Sequence, residues 1–148
     1  MIIDSATTSD IMELSHLLSL LFSQEAEFVP NLELQQRGLA RIIDSPEVGA
    51  VLVAREGDKI IGMVSLLFTV STALGERVAL LEDMVVSPAG RGMGVGTKLL
   101  SEAISYSRMQ FCKRITLLTD QSNEIAQKFY AKQGFVMSGM VPMRLLLE

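Results

Sequence analysis

The chain has 148 residues, nearly half of them apolar, with a formal net charge of −4, one cysteine and one histidine. That length accommodates one sizeable core and is short for two ordinary domains, so the expected organisation is a single domain over 1–148. The acidic balance argues against nucleic acid and suits cationic amines. A lone cysteine precludes an internal disulfide and fits a reducing cytoplasm, and no apolar run is long enough to cross a bilayer; no membrane or nucleic-acid partner is expected.

In chain order, Met1–Ile3 reads as a short strand, and Asp10 as the cap of a helix through about Phe22. Leu14 to Phe22 is apolar but interrupted by Ser15, His16 and Ser19, unlike a signal peptide. Pro30-Asn31 breaks the chain before a helix from Leu32 to Asp44. Val48–Arg55 and Lys59–Val70 are β-rich runs joined by Glu56-Gly57-Asp58, a hairpin signal. A strand from Val78 to Val86 leads into an Arg/Gly loop, and a helix follows from Gly94 to about Met109. Ile115–Thr119 is the next strand. A short helix capped by Ser122 and ended by Gly134 comes next, then strands at Phe135–Ser138 and Met143–Leu147.

The run Val85-Val86-Ser87-Pro88-Ala89-Gly90-Arg91-Gly92-Met93-Gly94-Val95-Gly96-Thr97 carries the strongest chemical signal. Glycines let the backbone approach a ligand closely, and the first amides of a helix have no intrahelical partner and lie at the positive end of its dipole. The result is a phosphate cradle, with Arg91 adding charge. It is not a P-loop, because Gly96 is followed by Thr97-Lys98 in the wrong order. The dinucleotide fingerprint fails too, since the third glycine would have to stand at Val95 or Thr97.

What remains, Arg-Gly-x-Gly-x-Gly after a strand and a proline, resembles the acetyl-coenzyme A pyrophosphate loop of the GNAT superfamily of N-acetyltransferases. A second block, Asn123-x-x-Ala126-x-x-Phe129-Tyr130-x-x-x-Gly134-Phe135, resembles the superfamily's second coenzyme A-binding motif. The resemblance implies a mixed α/β fold with a mostly antiparallel central sheet flanked by helices. It implies acetyl-CoA as cosubstrate and no metal, with cofactor contacts from the backbone of Met84, Val85 and Val86 and from Arg91, Gly92, Met93, Gly94, Val95, Gly96 and Thr97. A backbone N–H in the Met84–Val86 stretch would polarise the thioester carbonyl. Asn123 would contact the pantetheine arm or an ordered water, or cap its helix, and Tyr130 would donate a proton or hydrogen bond to the departing thiolate.

Glu82 and Asp83 are the conspicuous acids in an apolar strand. In an unbroken strand they point to opposite faces, so at most one faces the reacting amine. An ammonium must lose a proton before attack, and a carboxylate, directly or through a water, is the natural acceptor. Glu-Asp here resembles diamine and amino-sugar acetyltransferases of the superfamily, and Glu82 is the favoured base or amine-positioning group. His16 reads as structural, Cys112 has no nucleophile motif, and no His/Cys/Asp cluster has metal-ligand spacing. The expectation is a cytoplasmic N-acetyltransferase for a primary amine of a small molecule, acting by direct attack in a ternary complex. Protein N-terminal or lysine acetylation and a non-catalytic acyl-CoA sensor are the alternatives, and a homodimer is compatible with the sequence.

Overall fold

Arg55 ties the start of the chain together. In the computed structural model its Nε donates to Asp4 Oδ1 at 2.9 Å, and its two terminal nitrogens donate to Asp10 Oδ1 at 3.0 Å and Oδ2 at 2.7 Å. This fixes strand β1 (Ile2–Ser5) and the start of helix α1 (Ile11–Phe22) against strand β2 (Gly49–Glu56). The guanidinium holds the Asp10 carboxyl below the usual carboxylate range. Asp10 therefore opens α1 as expected, with Oδ2 accepting the Thr7 N–H at 2.8 Å rather than capping a helical amide.

The structure describes residues 1–25 and 28–148, in two units, Met1–Leu118 and Thr119–Glu148. The first contains β1, α1, α2 (Leu32–Ile43), β2, β3 (Lys59–Ser71), β4 (Glu76–Val86), α3 (Val95–Met109) and β5 (Ile115–Leu117). The strands lie side by side in chain order; β1 to β4 are antiparallel and β5 runs parallel to β4. Gly57, at φ +60°, turns the β2–β3 hairpin.

Helices cover both faces of the sheet, which explains why β2 and the first half of β3 are apolar without alternation. On one face Leu14, Leu17 and Leu18 of α1 and Leu39 of α2 pack with Val51, Val53, Ile60, Met63 and Val85. Gln35 links these helices, donating from Nε2 to the Ser15 carbonyl at 2.7 Å. α3 covers the other face at Gly62, where a Cβ would lie 2.9 Å from Leu99 Cδ1 and 3.1 Å from Val95 Cγ1.

The second unit holds α4 (Glu124–Ala131). Its cap is Asn123, whose Oδ1 accepts the Ala126 N–H at 3.0 Å, and not Ser122. Asp120 Oδ1 takes both the Ser122 N–H (2.9 Å) and its hydroxyl (2.7 Å), drawing Ser122 out of the capping position. Gly134, at φ +102°, follows the helix end as expected. The strands expected at Phe135–Ser138 and Met143–Leu147 are not formed among the described residues. An apolar pattern proposes a strand, but only a ladder partner makes one.

Candidate active site

β4 does not run through Glu82-Asp83 as an unbroken strand. On β3, Val64 pairs with Met84 and Leu66 with Leu81, so Ser65 alone stands opposite both acids. This is a β-bulge, and it reverses the strand's in–out phase. Ser65 is buried, 1 % exposed, and its hydroxyl makes two contacts with one residue. It accepts the Asp83 N–H at 3.1 Å and donates to Asp83 Oδ2 at 3.3 Å. Asp83 is thereby drawn to the face shared by Met63 and Val85, under α1, while Glu82 is exposed. Burial pushes the Asp83 carboxyl up to about 6, the charges of Glu82 and Glu25 push the same way, and the Ser65 hydroxyl opposes them.

Four residues downstream the same strand ends in the glycine loop. Pro88–Gly90 forms a single 3₁₀ turn that seats the loop on β3, because a Cβ on Gly90 would stand 3.1 Å from the Ile61 carbonyl oxygen. Gly92 (φ +79°) and Gly94 (φ +75°) take left-handed backbone, and a Cβ on either would meet nothing within 4 Å. The Lys98 amide donates to the Gly94 carbonyl at 3.1 Å, so those of Val95, Gly96 and Thr97 precede the helical ladder. Arg91, Gly92, Met93 and Gly94 are exposed, whereas the Val95 side chain is core and only its backbone is available. At the junction of strand and loop, Ser87 Oγ is buried without a hydrogen-bond partner among the described residues. Open glycines, free helical amides, Arg91 and an orphaned hydroxyl fit an anionic, hydrogen-bonding ligand such as a pyrophosphate.

Between bulge and loop lie Met84, Val85 and Val86. Their β3-facing edge is paired, but the β4–β5 ladder ends at Leu81↔Leu117. Backbone groups on the β5-facing edge beyond Leu81 therefore lie outside that ladder.

In the second unit Tyr130 sits edge-on to Phe129 and Phe135, with ring centroids 5.2 and 5.7 Å away. Burial pushes its hydroxyl up to about 12, so the neutral phenol is favoured. Asn123 has its Oδ1 committed to the helix cap. His16, expected to be structural, is exposed on α1. Burial raises the Cys112 thiol, which disfavours a nucleophilic thiolate. The described residues contain no group of acids, histidines and cysteine that would hold a metal, and no helix long and apolar enough to cross a membrane.

One strand thus carries two adjacent acids and then runs into a glycine-lined helix start. The sequence model of the acetyltransferase (GNAT) family matches residues 12–135, and the chain belongs to that family. It is 31% identical over 136 residues to the uncharacterized N-acetyltransferase YhfO of Bacillus subtilis, covering 90% of this chain and 88% of that one. It is 26% identical to the aminoalkylphosphonate N-acetyltransferase of Salmonella typhimurium, covering 90% of this chain and 83% of that one. Integron cassette protein HFX_CASS3, from the mobile metagenome of Cole Harbour Salt Marsh, shares the fold. Its TM-score is 0.85 at 23% identity, over 99% of this chain and 90% of that one.

Proposed function

We propose that the protein is a cytoplasmic acetyl-CoA-dependent N-acetyltransferase, a single functional domain over 1–148 that acetylates a primary amine of a small molecule in a ternary complex. The observation that carries this reading is the continuity of β4: its bulge presents Asp83, and its end opens the glycine cradle. Bound acetyl-CoA would supply the acetyl thioester.

The amides of Gly92–Thr97 and the Arg91 guanidinium would hold the pyrophosphate, and the β5-facing edge of Met84–Val86 would pair with the pantetheine amides. One N–H of that edge would be placed to donate to the thioester oxygen and stabilise negative charge there. Asp83 accepts the ammonium proton of the acceptor, because its carboxyl is tuned close to neutral pH by burial and by Glu82. Glu82, exposed beside it, attracts and orients the ammonium. As the amine nitrogen bonds to the acetyl carbon and the C–S bond breaks, the Tyr130 hydroxyl would donate its proton to the departing thiolate, and Asn123 orders the start of α4. The aminoalkylphosphonate N-acetyltransferase relative supports a small-molecule acceptor.

Thiol release from acetyl-CoA over a panel of polyamines, amino sugars, aminophosphonates and amino acids tests the reading. Turnover with small amines is the expected result; turnover only with peptides or proteins would reject the acceptor class, and binding without turnover would make the protein a sensor. Asp83→Asn should lower turnover about 10²–10⁴-fold, the usual range for losing a general base, with partial recovery at high pH.

A further inference from the structure

Ser65 is a hydroxyl in the middle of an otherwise apolar, buried stretch of β3, between Val64 and Leu66. Its neighbours pair normally with β4, and it alone faces the two-residue bulge. A bulge takes a backbone amide out of the ladder, and a buried amide left without an acceptor is destabilising. Ser65 Oγ supplies that acceptor for Asp83, at 3.1 Å. The same oxygen spends its single proton on the Asp83 carboxylate, at 3.3 Å from Oδ2. One hydroxyl thus fixes both ends of one acid, and Oδ1 stands outside the contact.

We propose that Ser65 is a positioning residue for proton transfer: its hydroxyl fills the gap in the β4 bulge and aims the Asp83 carboxylate at the acceptor amine. The inference rests on Asp83 being the base, as argued under Proposed function. Alanine or valine at 65 would complete the apolar strand but leave the Asp83 amide unpaired and the carboxylate free to rotate. Ser65 also favours the charged form of Asp83, against Glu82 beside it in the bulge and Glu25 after α1. Removing the hydroxyl therefore raises the pH at which the base becomes competent.

The experiment compares kcat against pH for wild type, Ser65→Ala, Ser65→Thr, Ser65→Cys and Asp83→Asn, with KM for acetyl-CoA read in parallel. Ser65→Ala should lower kcat about tenfold, part of the usual general-base contribution, and move the acidic limb to higher pH without changing KM for acetyl-CoA. Ser65→Thr, which restores the hydroxyl, should return the limb to its wild-type position. Ser65→Cys, a weaker donor of nearly the same shape, should fall between, and it carries the test if Ser65→Ala does not fold. An acidic limb that survives Asp83→Asn would remove Asp83 as base, and this inference with it. A limb abolished by Asp83→Asn but unmoved in Ser65→Ala and Ser65→Cys would overturn the role of Ser65 alone.

Discussion

Asp83, the proposed base, is held at the expense of stability. Its carboxyl is raised from 3.8 to about 6 mainly by burial, so the folded protein binds that proton more tightly than the unfolded chain. The stabilisation is full below the unfolded value and is lost as pH rises through the folded one. At neutral pH the buried charge is a liability, bounded by linkage at about 3 kcal/mol even with the Ser65 bond in place. Asp83→Asn should accordingly raise Tm near pH 7.5 while lowering turnover, and the gain should vanish by about pH 4. Denaturation followed by circular dichroism across that range checks the sign; a loss of Tm at pH 7.5 would mean that Asp83 is structural. Asp10 runs the other way. Its carboxyl is lowered by Arg55, so its contribution is present above the unfolded value and is lost as pH falls.

At the scale of elements, α3 is constrained at both ends by backbone rather than by side chains. It starts at Gly94 in left-handed conformation and ends in a Schellman turn, where Cys112 N–H reaches the Ser107 carbonyl at 2.9 Å. The left-handed position of that turn is held by Phe111, at φ +64° and 73 % exposed. Glycine is favoured there, and so little of Phe111 is buried that its ring contributes little. Phe111→Gly should therefore stabilise the protein by about 1 kcal/mol, seen as a higher urea midpoint at unchanged m. The helices and strands of the first unit were legible in the sequence because their periodicity is set by burial, and the loop because glycine and proline report backbone directly. The bulge was not legible. Glu82-Asp83 looks the same in a straight or a bulged strand, and only the pairing of Ser65 across the sheet tells them apart. Likewise Ser122 and Asn123 are equally good caps on paper, and the choice falls to Asp120. The strands expected after Gly134 depended on partners that no local pattern names.

For the molecule as a whole, binding of coenzyme A is read through stability. A ligand that binds only the folded protein stabilises it by mass action, about 2.7 kcal/mol at a hundredfold excess over Kd. For a chain of this length that is about 8 °C in Tm. Coenzyme A should produce such a shift in wild type, in Ser65→Ala and in Asp83→Asn, because none of these changes touches the cradle. Gly94 provides the contrasting variant. Valine there would be strained at φ +75° whatever it did to binding, whereas asparagine tolerates that backbone and projects into the open space above the loop. Gly94→Asn should fold with a near wild-type Tm and lose most of the coenzyme A shift. Hydrogen exchange adds a second readout: amides of α4 should slow on coenzyme A binding in wild type and not in Gly94→Asn. An unchanged shift in Gly94→Asn would remove the loop from cofactor binding. Protection confined to α3 would remove Asn123 and Tyr130 from it while leaving the cradle intact.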